Sequence, residues 1–206
     1  MGHEKNTLDR IHSAAEKEFL EKGFLGASLR QIVKEAGVTT GAFYGYYGSK
    51  EALFDALVGR QYTEFLDHYR QMVGKFKRLS PDEQRKEVTS AMQKRMLWMF
   101  NYVYDHKGTF QLILKGSEGT KYENLIYDFV EIGLDVTHCY ADAVKQLGKD
   151  VKKLDRELDH ILMSGLCYSF FEMIIHDVPR AKGELYILSL QEFYLAGWKQ
   201  IMGIEC

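Results

Sequence analysis

Two prolines, Pro81 and Pro179, are all that the 206 residues contain. The long stretches around them are rich in Leu, Ala, Glu, Lys and Met, so helix is the default reading. The three cysteines, Cys139, Cys167 and Cys206, show no paired spacing. That excludes a disulfide framework or a Cys-rich zinc site and fits a reducing compartment. No uninterrupted apolar run approaches the roughly 18 residues of a membrane span, and no apolar leader opens the chain, so a cytoplasmic protein without a membrane partner is expected. A large excess of charge is missing too. The net charge is −2, and through residue 60 eight Lys and Arg face eight Asp and Glu, which rules out a polycation that coats nucleic acid indiscriminately. There is no G-x-S-x-G, phosphate-binding glycine loop, H-E-x-x-H or C-x-x-C, so no enzyme activity, cofactor or metal is expected.

What is present is helical periodicity. Leu8, Ile11, Ala15 and Phe19 give an amphipathic first helix that stops near Gly23. Ser28 opens a second, with Gln31 completing a capping box, and Gly37 after Ala36 supplies a left-handed C-cap. Thr39 or Thr40 caps a third helix to about Tyr46, and Ser49 caps a fourth. Along the fourth, Leu53, Leu57, Phe65, Leu66, Tyr69, Val73 and Phe76 form one long apolar stripe. Ser80-Pro81-Asp82-Glu83 is a helix start, and the helix it opens breaks at His106-Lys107-Gly108. A short segment 109–115 precedes a turn at 116–119. Helices then follow over about 121–147, 155–177 and 181–202. No segment alternates with period two. The fold class expected is all-α, about nine helices.

Within this pattern residues 28–53 stand apart. Two short helices joined by Ala36-Gly37-Val38 make the sharp turn of a helix-turn-helix, whose second helix enters a DNA major groove. Leu29, Ile32, Val33, Ala36, Val38, Phe43 and Tyr47 are the apolar set for its mini-core. Thr39, Thr40, Gly41, Ala42 and Tyr44 are left for the surface. Small residues permit close approach, and threonine offers a hydroxyl to phosphate or base and a methyl to thymine.

This stretch resembles the N-terminal signature of the TetR family of bacterial transcriptional regulators. Ser28, Ile32 and the continuous segment Ala36-Gly37-Val38-Thr39-Thr40-Gly41-Ala42-Phe43-Tyr44-Gly45-Tyr46-Tyr47-Gly48-Ser49-Lys50-Glu51-Ala52-Leu53 follow it almost position by position. Val33, Tyr47, Gly45 and Gly48 depart from it. The resemblance implies a DNA-binding domain over residues 1–50, with the fourth helix from about 49 as a link, and a helical ligand-sensing and dimerisation domain over 51–206. It places Thr39, Thr40 and Ala42 in the groove and Ser28, Tyr44 and Lys50 at phosphates, with the small Gly41 counted among the DNA-binding residues. It further implies a homodimer through residues 155–202, a double-stranded palindromic operator and a small-molecule effector that releases a repressor.

Independently of the resemblance, residues 161–175 are apolar on nearly every face, and such a helix must be covered on all sides. Leu188, Leu195, Trp198 and Met202 extend the argument to the last helix, and together the two favour a twofold pair. Phe65, Tyr69, Met96, Met99, Phe100, Tyr104, Tyr122, Tyr127 and Phe170 are each read first as core. Their number beside tyrosine hydroxyls suits a mostly apolar ligand pocket. Asp128, Glu131, Asp135 and His138 step along one helix face, which is ordinarily a solvated one. The expected function is a ligand-responsive repressor; a ligand-independent DNA-binding regulator and a helical interaction module are the alternatives.

Overall fold

The computed structural model describes residues 6–203, which form nine α-helices and no strand. They are α1 Thr7–Gly26, α2 Leu29–Ala36, α3 Thr40–Tyr46, α4 Lys50–Lys77 and α5 Pro81–Asp105, followed by α6 Lys107–Gly116, α7 Leu125–Gln146, α8 Arg156–Ile175 and α9 Arg180–Met202. Cys206 lies outside the described residues. The all-α expectation holds, and most helix ends obey the local chemistry that announced them. Gly23, at φ 68°, interrupts α1, and Gly37, at φ 63°, closes α2. Thr39 caps α3 by accepting from the Ala42 N–H at 3.1 Å. The Ser49 hydroxyl does the same for Ala52 at the start of α4. At α5 the Glu83 carboxylate accepts from the Ser80 N–H at 2.8 Å.

Two boundaries differ from expectation. The Ser28–Gln31 capping box does not form, because the Ser28 side chain makes no capping bond. Its backbone N–H donates instead to the buried carboxylate of Glu18, 3.1 Å away. The helix expected from Lys121 starts only at Leu125. Side chains hold 117–124 in turns: the Thr120 hydroxyl donates to the Ser117 carbonyl, Glu123 accepts from the Gly119 N–H, and the Tyr122 phenol donates to Asp55. These bonds compete with the helical ladder and win locally.

The chain forms two compact units. One holds the residues through Thr63 together with His106–Leu125; the other holds Glu64–Asp105 and the residues from Ile126 onward. The expected division at residue 50 is therefore displaced. The first unit takes in the start of α4 and all of α6, since α6 packs on α1 with Gly116 so close that a Cβ there would meet the Phe19 carbonyl oxygen at 3.0 Å. Its core is aromatic: the rings of Phe19 and Phe54 meet edge-on at 5.0 Å, with Phe24 beside both.

In the second unit Phe65, Phe129 and Phe171 form a contiguous cluster with Tyr69 stacked at 4.0 Å on Phe129. α5 meets α9 where Gly183 leaves room for the rings of Phe100 and Tyr104. α8 is by length and composition apolar enough to cross a membrane. Its apolar residues divide instead between an inward set, Met163, Cys167, Phe170, Phe171 and Ile174, and an outward set, Leu158, Ile161 and Tyr168.

Candidate functional site

The helix-turn-helix is held from below. Ile32, Val33, Ala36 and Phe43 are buried, and Leu29, Val38 and Tyr47 are half-buried, so all seven residues expected in the mini-core face it at least in part. The Tyr47 ring lies beside Phe43, and its hydroxyl pairs with the His12 imidazole of α1. Burial pushes the Tyr47 phenol above its ordinary pKa, so it stays neutral as a hydrogen-bonding strut.

Of α3 only Phe43 is buried; Thr40, Gly41, Ala42, Tyr44, Gly45 and Tyr46 are exposed, as is the cap Thr39. Tyr44 is 55% and Tyr46 51% exposed. Such a face offers hydroxyls and very small side chains at a helix N-terminus, a combination suited to close approach by a polyanion. The Thr39 oxygen already accepts from Ala42, which leaves its O–H as the group free to donate outward.

One of the sequence-expected phosphate contacts sits otherwise than the resemblance implied. Ser28 is exposed with its hydroxyl uncommitted to capping. The Lys50 ammonium, by contrast, is turned inward. It donates to the carbonyls of Phe24 at 2.6 Å, Ala27 at 3.1 Å and Leu25 at 3.5 Å, and lies 4.6 Å from the centroid of the Phe24 ring. It caps the frayed end of α1, where unsatisfied carbonyls favour a cation. Arg30 and Lys34 on α2 are exposed cations that sequence reasoning passed over; their signal was their place on the polar face of the first helix of the motif.

A second candidate lies wholly in the second unit. Residues of α4, α5, α7, α8 and α9 enclose a cavity of about 120 Å³. Of the nine residues expected to line a pocket, Tyr69, Met96, Met99 and Phe170 do so. The other five lie outside this cavity. Phe65 is core, stacked with Trp98 and Phe129. Phe100 and Tyr104 pack at Gly183, where the Tyr104 hydroxyl donates to the Val178 carbonyl. Tyr122 belongs to the first unit and bonds Asp55, and Tyr127 is 57% exposed. Counting aromatic residues could not tell these environments apart.

The walls also include Val88, Met92, Phe129, Met163, Cys167 and Trp198 and, beside the cationic Lys199, a buried arginine that sequence reasoning passed over, Arg95. Its signal was readable: Arg95 stands on the same helical stripe as Val88, Met92 and Met99, where an apolar residue belongs. Burial pushes the Tyr69 phenol and the Cys167 thiol well above their usual values, so both remain neutral.

The acidic stripe of α7 resolves into pairs. Asp135 bonds Lys77 at 3.0 Å, Glu131 bonds Arg156 at 3.2 Å, and His138 approaches the fully buried Asp159 at 3.3 Å. Among the described residues no group of His, Cys, Asp and Glu has the arrangement of a metal site.

Residues 11–57 match the profile described as "Bacterial regulatory proteins, tetR family". Along 181 residues the chain is 24% identical to a Bacillus subtilis protein named "Uncharacterized HTH-type transcriptional regulator YerO", a match covering 87% of this chain and 58% of that one. The chain therefore spans less than two thirds of that relative's length. Over 62 residues it is 36% identical to the HTH-type transcriptional repressor NemR of Escherichia coli, covering 30% and 31% of the two chains. Among solved structures, SCO3833 of Streptomyces coelicolor, a TetR-family member, aligns with a TM-score of 0.57 at 17% identity over 89% of this chain and 88% of its own. PfmR of Thermus thermophilus aligns at 0.53 and 18% identity over 91% and 94%. The helix-turn-helix thus matches the tetR-family profile in sequence, and the nine-helix fold is similar along most of the chain to that of solved TetR-family members.

Proposed function

We propose that the protein is a homodimeric, ligand-responsive transcriptional repressor. The observation that carries the DNA-binding part is the exposed face of α3, seven residues long with only Phe43 turned inward. Thr39, Thr40, Gly41 and Ala42 are assigned to the groove, and Ser28 and Tyr44 to phosphates. Lys50 contributes its charge from behind the motif rather than a direct contact. With cations and acids balanced through residue 60, one reading head supplies little non-specific affinity. Two heads on half-sites about 34–36 Å apart add the rest.

Pairing is supported by the outward apolar side chains of α8 and α9: Ile161, 65% exposed, with Tyr168, Leu185, Leu188 and Phe193, the last 71% exposed. Apolar groups of this size recurring on two adjacent helices mark an interface. The cavity of the second unit is the effector site. For the effector to take operator occupancy from near 99% to near 1%, it must favour the released form by about 5.5 kcal/mol. DNA must then weaken effector binding by the same factor.

Footprinting the full chain on the DNA beside its own gene tests the reading. A protected palindrome is expected, lost with Tyr44→Ala. No protection at any protein concentration, in the absence of effector as well as in its presence, would return the chain to the class of helical interaction modules.

A further inference from the structure

The cavity of the second unit carries charge of one sign only. Arg95 of α5 and Lys199 of α9 are among its walls, and no Asp or Glu is. Arg95 is just 8% exposed. Among the described residues its guanidinium meets no carboxylate; its neighbours are the Phe76 ring, 5.5 Å from the centroid, and Tyr69, which shares the cavity wall. Arginine does not surrender its proton in a protein, and a buried charge without a partner is costly. Its planar fork of donors is shaped for a carboxylate held by two parallel bonds. The rest of the wall is thioether, aromatic and aliphatic: Met92, Met96, Phe129, Met163 and Phe170.

We infer that the effector is a small amphiphilic anion, its apolar body in the cavity and its carboxylate paired with Arg95. The inference rests on the sensing role proposed above and names the chemistry of that site. A volume of about 120 Å³ takes a body the size of one substituted ring or a short acyl chain, since an apolar cavity of comparable size holds benzene. The neutral Tyr69 phenol adds a donor without a competing negative charge. Lys199, half-buried at the wall, supplies the long-range part of the attraction.

The test uses the full chain and three acids, benzoate, 3-phenylpropionate and hexanoate, each against the primary amide of the same skeleton. Binding is followed by calorimetry and by the shift in melting temperature. At least one acid is expected to bind tenfold or more tightly than its amide, and Arg95→Met is expected to erase that gap while leaving the amide where it was. The acid–amide comparison on the unaltered protein decides the matter even if the variant fails to fold. An amide that binds as well as its acid overturns the anion and leaves the sensing role standing. If acids and amides alike neither bind nor shift the melt, both the anion and the sensing role of this cavity fall. An acid preference that survives Arg95→Met overturns the assignment to Arg95.

Discussion

The Lys50 ammonium lies 2.6 Å from the carbonyl oxygen of Phe24. A residue that the TetR signature places at a phosphate thus spends its donors on the end of α1, inside its own protein. Hydrogen bonds from charged donors contribute about 1.5–3 kcal/mol. Lys50→Met is therefore expected to lower stability by about 2 kcal/mol in urea melts while the folded variant keeps its salt dependence of DNA binding. A direct phosphate contact would behave oppositely: the slope of log K against log salt would fall by about one with stability unchanged.

Lys50 also illustrates what a sequence can and cannot announce. The caps at Gly37, Thr39, Ser49 and Ser80 were legible because each is a bargain between residues within about four positions. The partners of Lys50 stand 23 to 26 positions back, and no local rule finds them. Ser28 shows the same effect in reverse, for a well-formed local motif lost its N–H to Glu18, ten residues away. In the cavity, Met96 and Met99 were legible by stripe, yet Phe100, their immediate neighbour, packs at Gly183. Arg95 was passed over because a charged residue in a helix reads as solvated unless its register is checked against the apolar stripe.

At the reading face, Thr40 and Tyr44 are exposed, and Tyr44 touches the core only through the edge of the Phe43 ring. Tyr44→Ala is expected to lower stability by no more than about 1.5 kcal/mol, the worth of one aromatic pair. It should weaken binding to all DNA sequences alike. Thr40→Val is expected to change discrimination between operator variants by about 1–3 kcal/mol per altered base pair. Fluorescence anisotropy on a panel of operator mutants separates the two patterns. Equal losses for both variants across the panel would remove Thr40 from base readout.

Gly183 of α9 has no room for a side chain. A Cβ there would meet the Phe100 ring at 2.9 Å and press on the Tyr104 hydroxyl, both on rigid rings that α5 holds in place. Gly183→Ala gains helix propensity, but overpacking of this kind costs about 1–3 kcal/mol. A net loss of stability is expected in urea melts. A stabilised variant would show that α9 can move away from α5 at little cost.

Asp159 is fully buried. Burial pushes its carboxyl above the ordinary value, and the His138 ring and the Trp198 indole offset part of the rise. With the folded pKa above the unfolded one, the native state binds the extra proton. The contribution is fully present below the ordinary carboxylate pKa near 4 and is lost as pH rises through the raised value. Asp159→Asn should therefore be more stable than the unaltered protein at pH 8, with the advantage shrinking as pH falls toward the ordinary carboxylate range. Titrating groups that do not touch Asp159 cancel in the difference between the two proteins. A variant less stable at pH 8 would mean that the His138–Asp159 pair at 3.3 Å outweighs the cost of burying the carboxylate.

The outward side chains of α8 and α9 set the last prediction, because the DNA-binding proposal depends on them. A neutral reading head has few cations with which to hold a duplex, so its occupancy of an operator rests on a second head bound in register. Phe193→Glu and Ile161→Glu each place a charge where a 65–71% exposed apolar group is proposed to meet a twin. Neither residue is part of the buried core of its own chain, so the isolated fold should survive, with an unchanged helical circular dichroism spectrum. Sedimentation at micromolar concentration should show a dimer for the unaltered chain and a monomer for the double variant. Operator affinity should fall by at least a hundredfold, while effector binding in the cavity remains. A double variant that stays dimeric would place the interface elsewhere. One that is monomeric and still binds the full operator tightly would mean that a single α3 face suffices, and the twofold arrangement of half-sites would have to be abandoned.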